Sequence, residues 1–409
     1  MDLLLRNIGL LATPVGTSAR KGTGQGEILL IPDATISVKD GKIAYAGAAS
    51  SAEAPCDAEE ILDCGGRLVT PGLVDAHTHL VFGGWRHKEL SLKLAGVSYL
   101  DILKAGGGIL STVEHTRAAS EKELFDKGKI LLAEMLRLGV TTCEAKSGYG
   151  LSTADELKQL RVIRALDEAQ AIDLVATFMG AHTVPNEYKE NRDGFIDLVI
   201  EEMLPAVKKD QLAEFCDVFC ETAVFTPQES RRILDAAARL GFGIKAHVDE
   251  IDPIGGAEMA AQAGALSAEH LIQTSEQGIH ALAQSGVTAV LLPATSFYLD
   301  KPYARARAMI EAGVAVAVAT DFNPGSSPGL SIQFAMNLAC LKYKLTPAET
   351  LTAVTLNGAA AISRAEHCGS IEVGKLGDLV LWDAPDLDYI CYRFGSNLAR
   401  CVIKNGVIA

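Results

Sequence analysis

Pro71-Gly72-Leu73-Val74-Asp75-Ala76-His77-Thr78-His79 is a short apolar run that ends in two histidines. Successive side chains of a strand point to opposite faces, so His77 and His79, two positions apart, point the same way. Two imidazoles side by side at a strand end are a ready metal site. Read alone, the motif also fits two satisfied core histidines. It does not stand alone. His247 ends Gly243-Ile244-Lys245-Ala246-His247, His270 ends Leu266-Ser267-Ala268-Glu269-His270, and Asp321 follows the apolar stretch Val314 to Thr320. A parallel (β/α)8 barrel brings such strand ends together, because its active sites lie on the face formed by the C-terminal ends of its strands.

Working outward, β-rich apolar runs alternate with amphipathic segments. The runs are Leu73 to His77, Val140 to Glu144, Ile172 to Ala181, Cys216 to Cys220, Phe242 to His247, Ala265 to His270, Val287 to Leu291 and Val314 to Thr320. Helical patterns between them include Leu124 to Leu138, Ala154 to Ala169, Pro227 to Leu240 and Pro302 to Ala312. A doubly wound sheet shares this alternation. Convergence of the five polar side chains on one mouth decides for an α/β fold of the (β/α)8, TIM-like type.

The two ends of the chain read differently. Ala34 to Val38 and Ile43 to Gly47 alternate around Asp40-Gly41, a hairpin signal. Strand-and-turn patterns return at Ile371 to Trp382 and Arg400 to Val407. Neither piece can bury a core alone, so pairing them into a small β-sandwich is the economical solution. The expected domains are residues 1–66 and 366–409 for the sandwich and 67–365 for the barrel.

Composition narrows the function. The chain has 409 residues with a net charge of -14, 48% hydrophobic and 22% charged, which fits a globular protein with a large core. No basic cluster points to nucleic acid or an anionic membrane, and no apolar run is long enough to span one. The start Met1 to Arg6 lacks a basic leader, and nine cysteines scattered in apolar stretches suit reduced thiols. A cytoplasmic enzyme acting on a small molecule is expected, as a homodimer.

Three histidines and one carboxylate suit Zn or Fe. Such a metal can acidify a bound water and polarise a carbonyl. Asp321 can bind it and take the water's proton, while His270 can carry a second proton or hold an oxyanion. Glu250, three positions beyond His247, is the nearest further carboxylate; an exposed loop acid is the competing reading. Other motifs carry less. Gly325-Ser326-Ser327-Pro328-Gly329 mimics a nucleophile elbow, but Pro328 has no N–H for an oxyanion hole. Gly369 to Lys375 mimics a phosphate loop without its Ser/Thr. Gly106 to Gly108 reads as a loop, Cys216 and Cys220 as core thiols, and Glu201 and Glu202 as a solvated face. His87, His115, His280 and His367 read as surface histidines.

The His77-Thr78-His79 pair after Pro-Gly, with the later His, His and Asp at strand ends, resembles the amidohydrolase superfamily of metal-dependent barrels. Four segments narrow the resemblance: His77 to Gly84, Gly106 to Val113, Lys146 to Leu151 and Asp321 to Pro328. Together they resemble the branch that opens the cyclic amide of 4-imidazolone-5-propanoate to N-formimidoyl-L-glutamate in histidine degradation. That resemblance spans the whole chain. It implies one divalent or trivalent metal ion on His77, His79, His247 and Asp321, with His270 and Glu250 near the reacting centre. It also implies substrate contacts at Arg86, Tyr149, His182, Glu250, Asn323, Gly325 and Ser326. Arg86 would clamp the propanoate, and the Gly325 and Ser326 N–H groups would suit an anion beside a helix start. Members with two metals bridge them through a modified lysine on the fourth strand, and no lysine stands there. Two rivals remain: a deaminase of a purine- or pterin-type amidine on the same barrel, and a non-catalytic scaffold.

Overall fold

The computed structural model describes residues 2–97 and 107–409, without the side chain of Lys93. Both termini build one seven-stranded sheet from β1 (Leu3–Thr13), β2 (Leu29–Lys39), β3 (Lys42–Ala48), β4 (Glu60–Pro71) and the C-terminal β13 (Leu379–Trp382), β14 (Ala399–Lys404) and β15 (Val407–Ile408). The β2–β3 turn puts Asp40 at φ 49 and Gly41 at φ 76, a left-handed pair that suits Asp-Gly. β13 pairs antiparallel with β4, so the chain end is stitched to the chain start. The sheet has its own core, including Leu3, Leu5, Ile36, Val38, Leu379 and Ile403.

The sheet runs straight into the barrel. β4 ends at Pro71, and β5 (Leu73–Asp75) begins two residues on. Gly72 sits between them because a Cβ there would lie 2.2 Å from Thr141 Oγ1. The barrel continues through β6 (Val140–Lys146), β7 (Asp173–Ala181), β8 (Phe215–Cys220), β9 (Gly243–Val248), β10 (Ser267–His270), β11 (Thr288–Leu291) and β12 (Val316–Val318). Neighbouring strands in this 8-stranded sheet are parallel and in sequence order, as the alternating runs predict.

Helices follow the strands where the sequence carries start signals. Ser120 and Thr226 each form a capping box for Glu121–Arg137 and Pro227–Arg239, and Ser152 caps Thr153–Ala169. The segment expected over Pro302 to Ala312 is helical only from Ala306 to Glu311. Pro302 disfavours helical geometry at the residue before it, and the backbone turns helical only beyond Arg305. Of the glycine run, Gly106 lies outside the described residues, whereas Gly108 opens a helix, Gly108–Ala118, in place of the expected loop. All nine cysteines are free, with Cys216 and Cys220 buried in β8. Among the described residues no helix is long and apolar enough to cross a membrane.

Candidate active site

The barrel closes at the site itself. Beyond the ends of β5 and β12, Asp321 N donates to His77 O at 3.0 Å and His79 N donates to Phe322 O at 2.8 Å. These two bonds bring the His-x-His run beside Asp321. His247 comes from β9, two strands from the end of β7, and His270 ends β10. His270 and Asp321 have left-handed backbones, φ 67 and 52. Histidine and aspartate are among the residues that tolerate this region best.

Four buried side chains converge. His77 Nε2 lies 3.4 Å from Asp321 Oδ1, His79 Nε2 lies 3.7 Å from the same oxygen, and His79 Nε2 lies 3.4 Å from His247 Nε2. The three histidines are at most 3% exposed. Each outer nitrogen of two of them is already engaged: His77 Nδ1 meets Glu269 Oε2 at 2.6 Å, and His247 Nδ1 meets Asp217 Oδ1 at 3.1 Å. Those carboxylates hold the proton on Nδ1 and leave a lone pair on each Nε2. Lone pairs of His77 and His247 thus face a carboxylate oxygen and another imidazole, and His77 Nε2 has no hydrogen-bond partner. Burial also pushes the three imidazoles down, His247 to about 3, so they stay neutral. Neutral imidazoles and one carboxylate, crowded without protons between them, fit a metal cation. Groups competent to hold an ion are His77, His79 and His247, and His77, His270 and Asp321.

Asp321 is braced on its other side, where Thr295 Oγ1 donates to Oδ2 at 2.5 Å. Burial pushes its carboxyl up to about 7. Glu250 is no exposed loop acid: its side chain is 16% exposed and Oε2 lies 3.6 Å from His270 Nε2. Burial, with the charge of Glu221, pushes it up to about 7.

Aromatic and polar groups line one side. His182, just past β7, stacks on His79 with centroids 4.9 Å apart and donates from Nδ1 to Gly148 O at 3.0 Å. Burial pushes His182 down to about 4, so it is neutral. Tyr149 packs beside both, 5.8 Å from His79 and 5.2 Å from His182. Its loop is held by Glu156, which accepts from Gly148, Gly150 and Leu151 N–H, and by Gln159, which accepts from Tyr149 N–H.

Arg86 is placed differently from expectation. Its Nε and Nη2 pair bidentately with Glu89 at 3.0 and 2.8 Å, so that edge of the fork is already engaged. Nη1 faces Gly325, where a Cβ would lie 2.0 Å away; only glycine leaves room for the guanidinium. The anion-binding role expected of the Gly325 and Ser326 N–H groups is corrected. Both donate to Asn323 Oδ1, at 2.8 and 2.7 Å, and the next helix begins at Ile332, not beside them. Asn323 therefore shapes the loop under Arg86 through a side-chain turn. Ser327, the elbow serine, donates to Thr320 O and is buried. His87, His115, His280 and His367 are exposed, as expected.

Sequence reasoning missed Asp217, Glu269 and Thr295. The signal was present: a charged residue inside a buried strand needs a partner. Asp217 stands in Phe215-Cys216-Asp217-Val218-Phe219, and Glu269 directly precedes His270.

Comparison with known proteins agrees with this geometry. Residues 68–408 match the model of the amidohydrolase family. An imidazolonepropionase of Bacillus velezensis is 53% identical over 407 residues, covering 99% of this chain and 96% of the relative. A triazine hydrolase variant shares the fold with a TM-score of 0.77 at 19% identity, over 100% of this chain and 94% of that one. A zinc-bound adenosine deaminase from Xanthomonas campestris has a TM-score of 0.71 at 22% identity, over 100% and 92%. By the family match and the full-length identity, this chain belongs to the amidohydrolase family, among its imidazolonepropionases.

Proposed function

We propose that this chain hydrolyses the cyclic amide of 4-imidazolone-5-propanoate to N-formimidoyl-L-glutamate, a step of histidine degradation. The observation that carries the reading is 53% identity to an imidazolonepropionase across 99% of the chain, with the ligand cluster intact at the barrel mouth. Water adds to the ring carbonyl, the bond from that carbon to the ring nitrogen breaks, and the freed nitrogen takes a proton. A single zinc or iron ion on His77, His79, His247 and Asp321 would polarise the carbonyl and acidify water. The absence of a lysine from β8 supports one ion over two.

The chain's own groups supply the rest. Asp321 takes the proton released by water; Oδ1 faces the histidines while Oδ2 stays bonded to Thr295. Glu250, protonated over much of the neutral range, gives a proton to the leaving nitrogen, with His270 as its neighbour. Tyr149 and His182 hold the flat ring beside His79. Arg86, steadied by Glu89, meets the propanoate through its other edge, and Asn323, Gly325 and Ser326 shape the loop against it. Remote binding of that arm orients the ring for attack. Free thiols throughout support a cytosolic setting.

Incubating the purified protein with imidazolone propanoate while following the ring absorbance tests the reading. Decay without ammonia release is expected. Ammonia from a purine or pterin, with imidazolone propanoate untouched, would establish the deaminase instead.

A further inference from the structure

Beneath the converging ligands, the barrel interior holds Glu144, Lys146, Asp217, Lys245 and Glu269, all at 0% exposure. They form one continuous chain. Asp217 meets His247 Nδ1 through Oδ1 at 3.1 Å and Lys146 Nζ through Oδ2 at 2.8 Å. Lys146 Nζ also lies 2.8 Å from Glu144 Oε1 and 2.7 Å from Oε2. Glu144 Oε1 meets Lys245 Nζ at 3.1 Å, and Lys245 Nζ lies 3.6 Å from Glu269 Oε1. Glu269 Oε2 then meets His77 Nδ1 at 2.6 Å. Thr177 and Ser267 hydroxyls donate to Glu144 Oε1 and Glu269 Oε1, both at 2.5 Å.

Such a lattice is a poor way to fill a barrel. Each buried ion costs several kcal/mol of desolvation, and well-packed apolar residues of similar volume often serve as well or better. Its ends explain it. Both terminate on the outer nitrogen of a histidine whose inner nitrogen faces the ligand cluster.

We propose that Glu144, Lys146 and Lys245 are positioning residues of the metal site, fixing His77 and His247 jointly, from opposite ends, through Glu269 and Asp217. None of the three touches a ligand. Lys146 holds Asp217 and Lys245 holds Glu269, the carboxylates that hold the two histidines, and Glu144 bridges the two lysines, so the imidazoles share one support. The inference rests on the metal reading of the cluster and not on the identity of the substrate.

The test is made on metal-free protein titrated with Co²⁺ against a chromophoric chelator, with the visible Co²⁺ spectrum recorded. Glu144→Gln should weaken Co²⁺ binding by about 10-fold, the lower end of the loss usual for a group bonded to the ligand itself, and shift the spectrum. Adding Lys146→Met to it should cost less than the sum of the two single losses, because both break the same chain. Asp378→Asn alters another buried carboxylate, one that pairs with Lys404 of the terminal sheet; it should leave Co²⁺ affinity unchanged. If Glu144→Gln does not fold, Lys245→Met reads the same link through Glu269. Folded variants with wild-type affinity and spectrum overturn the proposal. Wild-type protein that binds no Co²⁺, yet turns over imidazolone propanoate, overturns the metal reading and this inference while sparing the proposed function.

Discussion

Replacing Asp321 separates the roles proposed for it, because each rests on a different property of the side chain. Asp321→Asn keeps the volume, an oxygen for the Thr295 hydroxyl, and a residue type at ease with φ 52. It loses only charge and basicity. Turnover should fall by about 10² to 10⁴, roughly 3 to 5 kcal/mol of barrier, as for loss of a general base. Asp321→Ala adds two structural costs: about 1–2 kcal/mol for a left-handed alanine, and about 1–3 kcal/mol for the unpaired buried hydroxyl of Thr295. Its melting temperature should therefore fall well below that of the Asn variant. Charge gives a pH signature. Burial raises the carboxyl from near 4 to about 7 in the metal-free protein, so between these values the folded state binds more protons than the unfolded one. Stability contributed by this group then falls as pH rises through that window. Metal-free Asp321→Asn should thus melt above wild type at pH 8 and alongside it at pH 4. Steady-state turnover, metal content and melting curves at both pH values decide the matter. A loss under tenfold with metal retained would refute the proton role and make His270 the next suspect, while equal melting of the Asn and Ala variants would refute the backbone argument.

Three further perturbations probe the rim. Glu250 carries its proton below about pH 7, so activity that needs it as an acid should decline as pH rises through 7; Glu250→Gln should lower kcat and remove that limb from the pH–rate profile, and a limb unchanged in the variant would assign it elsewhere. Gly325→Ala places a methyl 2.0 Å from Arg86 Nη1 while Glu89 holds the guanidinium from behind, so the fork must shift; KM for imidazolone propanoate should rise at least tenfold with metal content unchanged. Arg86→Lys should do likewise, since an ammonium cannot replace both contacts to Glu89; wild-type KM in both variants would show that Arg86 does not meet the propanoate.

The barrel was legible because its chemistry marks its strand ends. His77, His79, His247, His270 and Asp321 each follow an apolar run, and only a shared mouth gives such placement a purpose. The support beneath was not legible in the same way. Asp217 and Glu269 stand out as charges in buried strands, but their partners lie on other strands: Asp217 meets Lys146 of β6 and His247 of β9, and Glu269 meets Lys245 of β9 and His77 beyond β5, only once the barrel is assembled. A charge can be seen to need a partner before the partner can be named. The loop after Asp321 failed for another reason. Gly325 and Ser326 suggested open N–H groups, yet Asn323, two positions away, satisfies both. Asparagine readily bonds its own nearby backbone N–H groups in this way.

Closure of the barrel and completion of the site are one event. The bonds Asp321 N to His77 O and His79 N to Phe322 O join the last strand region to the first, and the residues they join include three of the four ligand candidates. The fourth, His247, is bound into the same unit through Asp217 and the lysine–glutamate lattice that ends on His77. An open barrel would separate these groups, leaving buried histidines and carboxylates without partners, which is costly. A closed barrel crowds them together, which is costly too unless a cation sits between. Folding therefore assembles the ligand candidates in the same step that closes the barrel, in a cluster that fits a cation.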